Sequence, residues 1–253
     1  MSELPTPREL LIALHADPRL NRRRLGRLAG EVIGWARGRP QATPPATLPA
    51  AAPPATLPAL LALLVQIGAR GETKAAPAPP PAWSTPGGAV AAAAAEMAAA
   101  AAAGARMITV LDPEYPEILA EMALPPPVLA VRGRLPPGPA VAIVGARHAD
   151  GYGLEVAAHF ARCLAAAGVA IVSGMAQGID EAAHQGALAM PLGRTVAVLG
   201  CGVGFDYPRG HARQAAAIAS RGALVSEFPC GARPPPWHFP VRHRTIAGLA
   251  AVP

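Results

Sequence analysis

The sequence predicts an α/β protein: a Rossmann-like, doubly wound, mainly parallel sheet, preceded by a small helical region and Ala/Pro-rich linkers. Three observations predict it. From Val141 onward, apolar runs of four or five residues alternate with helix-length segments, as strands buried on both faces and joined by crossover helices do. Three successive runs end in glycine-rich turns, at Gly145 to Gly153, Ser173 to Gly178 and Gly200 to Gly204. The chain holds 60 Ala, 31 Pro and 26 Gly among 253 residues, a bias that confines the larger apolar side chains to ordered blocks.

The elements follow in chain order. Leu10, Leu11 and Leu14, then Leu20, Leu25, Leu28, Val32 and Ile33, predict helix within 8–37, with Arg22, Arg23 and Arg24 on the polar side or in a joint. Residues 40–58 read as a Pro-rich linker, and Ala-Thr-Leu-Pro-Ala occurs at 46–50 and again at 55–59. Leu60 to Ile67 reads as a brief apolar helix and Lys74 to Pro86 as linker again. Ala89 to Ala103 is helical by propensity, but with little more than methyl groups to bury it is expected to pack weakly. This gives a helical N-terminal region at 1–70, an Ala/Pro-rich linker and helix at 71–104, and the Rossmann-like domain at 105–253.

Within that domain Met107 to Leu111 and Val128 to Val131 read as strands, separated by turn chemistry at Asp112 to Pro116. Strands are then expected at Val141–Val144, Val169–Val172, Thr195–Leu199 and Ala223–Ser226. Helices are expected at Gly153–Ala167, Ile179–Ala189 and His211–Ser220. Right-handed crossovers place all the glycine-rich turns at one rim, and ligands of such sheets lie beyond the carboxyl ends of the strands.

Composition narrows the function classes. Three cysteines exclude a disulfide scaffold. No segment has the roughly 20 strongly apolar residues of a membrane span, and the N-terminus lacks the order of a signal peptide, so a cytoplasmic protein without a membrane partner is expected. The net charge is +6, carried by 21 Arg and one Lys. Residues 1–40 carry +4, residues 41–131 carry −3 and residues 132–253 carry +5. Basic blocks favour polyanions through phosphate neutralisation; a solvated basic surface is the plainer alternative.

The glycine-rich turns allow backbone N–H groups to approach a ligand, and helix N-termini there favour anions. None is a dinucleotide fingerprint; Glu227 is the one acidic candidate for a ribose ligand. The sharpest local signal is Phe239 to Leu249. Pro240 suits a helix start, so Arg242, His243 and Arg244 would crowd a first turn whose dipole penalises each cation by about 0.3–1 kcal/mol. A bound phosphate would offset that cost; pairing of the arginines with Glu227, or exposure to solvent, would explain them without one. Asp180 and His184 read as a structural pair near a helix start, since metal ligation would need further ligands. Cys163 is expected in a helix core and Cys201 in packing. Phe205 and Tyr207 could stack on bases or form a turn, and Trp237, His238 and Phe239 anchor the arginine segment.

These pieces together resemble the DprA/Smf family. They are Val144-Gly-Ala-Arg147 with Tyr152-Gly153, Ser173-Gly-x-Ala-x-Gly-Ile-Asp180-x-Ala-Ala-His184, Tyr207-Pro208, Ser226-Glu227 and Phe239-Pro-x-Arg-x-Arg-x-Ile-Ala-Gly-Leu249. Asp112 to Pro116, Pro126 to Leu129 and Arg132-Gly133 resemble its entry segment. The resemblance covers about 105–252 and implies an extended Rossmann fold and a homodimer. It implies a protein that binds and protects single-stranded DNA and loads RecA during natural transformation and recombination. By position it implies phosphate contacts from Arg147, Arg194, Arg242 and Arg244, with His243 between the last two, and contacts from Gly145, Ser173 and Gly174. His243 stands where the family has Asn, Thr245 where it has Ile, and Gln177 where it often has Arg or Lys. The chain ends at Pro253, where the family's next strand would begin, and so reads as C-terminally truncated.

The competing reading is a hydrolase of nucleotides or nucleoside phosphates on the same scaffold. Such an enzyme would be similar to the phosphoribohydrolase (lysine-decarboxylase-like) family, whose Pro-Gly-Gly-x-Gly-Thr motif is lacking, since Pro86-Gly87-Gly88 continues as Ala-Val, and no nucleophile–base pair, metal ligand set or cofactor can be nominated. A non-enzymatic binding protein is therefore expected.

Overall fold

The computed structural model describes residues 6–17, 22–36, 85–206 and 210–250. The expected Pro-rich linkers with their repeat, the apolar segment at 60–67 and Tyr207-Pro208 lie outside the described residues. The described chain divides into two compact units. One takes the residues up to Met97 together with Thr109–Val128; the other takes Ala98–Ile108 and the residues from Leu129 on.

The first unit is helical. Helix α1 (Pro7–Ala16) starts with Pro at its first turn and a capping box, in which the Thr6 side chain accepts from the Glu9 N–H and the Glu9 carboxylate accepts from the Thr6 backbone. Those bonds hold the Glu9 carboxyl below its usual range. Leu10, Leu11, Ile12 and Leu14 are buried on it. Helix α2 (Arg22–Ala36) buries Leu25, Ala29, Val32 and Ile33 at helical spacing. Of the two places read for it, Arg22 takes the joint, at the very start of α2, where it is buried and its guanidinium donates to the His15 carbonyl at 3.3 Å. Helix α3 (Pro86–Ala102) corrects the expectation of weak packing. Ala89, Ala93 and Ala100 are fully buried and Glu96 nearly so, on one stripe, and the Glu96 carboxylate lies 3.8 Å from His15 Nε2. Small side chains let neighbouring backbone approach closely, so methyl groups suffice to make a packed face.

The second unit carries the six-stranded sheet, β1 (Ala105–Thr109), β2 (Val128–Gly133), β3 (Ala140–Ala142), β4 (Ala170–Ser173), β5 (Thr195–Val198) and β6 (Ala223–Ser226), in the order β1-β2-β6-β5-β4-β3. A one-turn helix, α4 (Glu117–Ala120), lies in the segment between β1 and β2 and belongs to the first unit. Strands β3 to β6 are mutually parallel and β2 runs antiparallel to β6. Every residue of β4, β5 and β6 is buried, which is why they read as unbroken apolar runs. Helices α5 (Gly151–Ala166), α6 (Ile179–Leu188) and α7 (Ala212–Arg221) are the crossovers. Ala161 and Ala165 of α5 meet Ala183 and Ala187 of α6 over Ile171. A Cβ at Gly186 would collide with the Ala158 carbonyl, so glycine sets the closeness of the two helices. Cys163, expected in this core, is exposed on the outer face of α5.

Candidate functional site

The carboxyl ends of β3, β4, β5 and β6 share one rim, as parallel strands require. Its inner layer is built around Asp180 in the first turn of α6. The Asp180 carboxylate accepts from the N–H groups of Gly145 at 3.3 Å, Gly174 at 3.2 Å and Ala176 at 3.4 Å. Backbone N–H groups of the first two glycine-rich turns thus converge on an anion, and that anion is the protein's own carboxylate rather than a ligand. The backbone strains to make it: Met175, buried between two of the donors, has φ 57°, a left-handed conformation uncommon for a non-glycine residue. Gly178 has φ 84°, and a Cβ there would strike the carbonyls of Ala146 and Arg147, so the first two turns lock together only through glycine.

The charge of Asp180 is met by Arg242. Helix α8 (His238–Leu249) lies against β3, β4 and β5. Its Arg242 is 4% exposed, donates to the Gly174 carbonyl at 2.5 Å and sits 3.8 Å from the Asp180 carboxylate. Arg244 pairs with Glu227, itself 1% exposed, at the end of β6. Thr245, at the position where the resemblance implies Ile, donates to the other Glu227 oxygen at 2.7 Å. Of the readings open for these arginines, pairing with Glu227 holds for Arg244, while Arg242 pairs with Asp180 instead; an unpaired buried charge is costly. The helix begins two residues before Pro240, so Arg242 and Arg244 lie beyond its first turn and the dipole penalty expected there does not arise. Glu227 is likewise not available to a ribose.

Ser173 and Gly174 belong to this inner layer too. Ser173 is fully buried and donates to the Ile143 carbonyl at 2.6 Å, and Gly174 is committed to Asp180 and Arg242. His184 does not pair with Asp180. Its Nδ1 lies 2.7 Å from the Thr195 hydroxyl, which itself donates to the Ile171 carbonyl, so Nδ1 carries a proton and is the donor. Burial, assisted by the Arg242 charge, pushes its pKa down to about 3. Burial pushes the Cys201 thiol up to about 11, against the opposing pull of Arg242, and no reactive thiolate forms there. Arg194 is not at this rim: it precedes β5 and donates to the Gly168 carbonyl before β4, at the amino ends of the strands.

The outer layer is what solvent meets. Gly145 and Arg147 are exposed after β3. The Arg147 guanidinium lies over the Phe239 ring, 4.6 Å from its centroid, and Arg242 lies 5.2 Å from the same centroid. Phe239 reaches that position past Gly200, where a Cβ would stand 3.0 Å from the ring. Beside it His238 stacks on buried Phe228, with centroids 3.7 Å apart, and its Nδ1 lies 3.0 Å from the Gly200 carbonyl. Trp237 meets His238 edge to face and is 59% exposed. His243 is exposed on α8. Two further exposed arginines stand on rim segments, Arg213 in the first turn of α7 and Arg233 in the loop after β6. Neither was singled out from sequence; the signal that could have found them is position, since both follow a strand at its carboxyl end. An open pocket of about 850 Å³ is lined by Arg147 and His148 together with the carboxylates Asp150, Glu155 and Glu181. Those carboxylates disfavour a polyanion there.

Among the described residues no group of His, Cys, Asp and Glu could hold a metal ion, and no helix is long and apolar enough to cross a membrane.

Comparison with known proteins gives a consistent result. The profile of the DNA recombination-mediator protein A family matches residues 106–252. Protein Smf of Synechocystis is 40% identical over 151 residues, which is 57% of this chain and 38% of that protein. DNA processing protein DprA of Bacillus subtilis is 36% identical over 150 residues, 58% of this chain and 50% of that protein. The chain therefore spans half or less of the length of these relatives. The structure is similar to that of DprA from Streptococcus pneumoniae, with a TM-score of 0.64 at 24% identity over 97% of this chain and 76% of that one. It is also similar to DprA from Helicobacter pylori, for which a single-stranded DNA binding mode is described. That likeness has a TM-score of 0.51 at 28% identity over 59% of this chain and 68% of that one.

Proposed function

The chain belongs to the DNA recombination-mediator protein A family, and from that premise we propose that it is a cytoplasmic, non-enzymatic protein that binds single-stranded DNA across the carboxyl rim of its sheet. It protects incoming strands and delivers them to RecA in transformation and recombination, acting as a homodimer and using no metal or cofactor. The observation that carries the reading is the separation of charge between the two layers. Asp180 and Glu227 are neutralised from within by Arg242 and Arg244, so the exposed Arg147, Arg213 and Arg233 outnumber the exposed Asp150 and Asp206 on the same rim segments and leave it positive. Phosphates would be held by Arg147, with Gly145 and His243 beside the path, while Arg242, Arg244, Ser173 and Gly174 hold the rim in shape. Arg194 would act at the far rim or not at all.

Contacts of this kind grip the backbone and read little sequence. The test is a salt titration of binding to single strands and to duplex of equal length. Single strands bind more tightly, affinity falls steeply with salt, and the variant Arg147→Glu, Arg213→Glu, Arg233→Glu loses binding while keeping its fold. Equal binding by that triple variant overturns the site. Turnover of nucleoside monophosphates that survives competing DNA overturns the function in favour of a hydrolase.

A further inference from the structure

We infer that Trp237 is a base-stacking platform: a nucleobase of the bound single strand lies on its indole while the adjoining backbone passes Arg147. This rests on the proposed single-strand path and adds to it the residue that tells a strand with bases from a bare polyanion. The structure supplies three reasons. Trp237 is a large aromatic left 59% exposed at the rim. Its indole is nonetheless held, edge to face at 4.1 Å on His238, which is fixed in turn by stacking on Phe228 and by the Gly200 carbonyl. A held ring loses little rotamer freedom when a base lands on it. And Trp237 stands two residues before Phe239, over whose ring the Arg147 guanidinium of the turn after β3 lies, so one short segment carries both the exposed aromatic face and the ring that holds the cation. Phe239 itself cannot take the base, because arginines approach its ring from Arg147 and from Arg242. Tyr152 is more exposed, at 77%, but has no ring contact among the described residues to hold it. Stacking needs only a π face, so it tolerates any base and suits binding without sequence readout.

The test compares two ligands of equal length and phosphate count, oligo-dT and an abasic strand, across a salt series by fluorescence anisotropy. Trp237→Ala weakens oligo-dT about tenfold, leaves the abasic strand unchanged and keeps the salt slope, because no phosphate contact is removed. Trp237→Phe restores most of the loss. If Trp237→Ala binds oligo-dT as the parent does while Arg147→Glu weakens both strands, the platform is wrong and the groove stands. If Trp237→Ala weakens both strands equally, its role is not stacking. If the parent binds neither strand, the path itself fails and the platform with it.

Discussion

The two layers of the carboxyl rim use the same residue types for opposite ends. In the inner layer Arg242 and Arg244 face Asp180 and Glu227, and all four lie beneath the surface or nearly so. In the outer layer Arg147 rests on a ring, and Arg213 and Arg233 face solvent. A guanidinium between a buried carboxylate and a carbonyl is part of the scaffold, since removing it strands a charge in a poor solvent. A guanidinium over an aromatic face keeps its donors turned outward and its charge undiminished. The lesson is that arginine at a binding rim is not evidence of contact until its partner is known. The arginine-rich helix shapes this rim, and residues scattered along three other segments present the charge.

The strongest way to break that distinction is to remove one partner of the inner layer. Arg242→Ala and Asp180→Ala should each cost about 3–5 kcal/mol of unfolding free energy, and the double variant should cost less than the sum, because the second loss removes a charge already unpaired. Denaturant unfolding measures all three. A double variant Arg242→Glu, Arg244→Glu would place four carboxylates together beneath the rim. Its loss of DNA binding would report unfolding, not contact. If Arg242→Ala keeps the parent's midpoint, the two layers are not distinct.

A second effect sharpens the inner layer through pH. His184 is held neutral with a pKa near 3, against about 6.5 in an unfolded chain. Between those values the unfolded state binds a proton that the folded state refuses. Stability contributed by the neutral imidazole is therefore complete above pH 6.5 and falls as pH drops, by about 1.4 kcal/mol per pH unit. His184→Gln should flatten the slope of unfolding free energy between pH 6 and 4 by one proton. An unchanged slope would mean that the ring titrates normally in the fold.

The difference between the layers also explains what sequence could reveal. The strands β4, β5 and β6 were legible because burial on both faces leaves each a mainly apolar run, with its one polar residue, Ser173, Thr195 or Ser226, at an end, and each crossover helix announced itself by length. The glycine-rich turns were legible as a cradle. What fills the cradle was not, because Asp180 is one acidic residue among several and only the fold brings Gly145, Gly174 and Arg242 around it. The helix rich in alanine misled for a related reason: when every face carries methyl groups there is no periodic contrast, so the buried stripe of Ala89, Ala93 and Ala100 leaves no trace in the pattern. Pro240 misled by an ordinary preference, since proline is tolerated anywhere in the first turn and α8 had begun at His238. Thr245 carried a readable hint, a hydroxyl where an apolar residue was implied, and its use became plain only with Glu227 in view.

The smallest effect is the most discriminating, because it separates a cation that touches a phosphate from one that only adds to the field. Replacing Arg147, Arg213 or Arg233 with Ala should change stability by no more than about 0.5 kcal/mol, as befits exposed positions without a buried partner. Each that contacts a phosphate should lower the slope of log affinity against log salt by about 0.7, the counterion released per single-strand phosphate. A cation acting only through the long-range field lowers affinity at low salt and leaves the slope nearly unchanged, since screening beyond about 10 Å removes it at moderate ionic strength. Arg147 should show the contact signature, because the Phe239 ring fixes it at the mouth of the path. The same measurement on Arg244→Lys, which keeps the charge beside Glu227, should leave the slope untouched. Should Arg244 change the slope and Arg147 not, the two layers have been assigned the wrong way round.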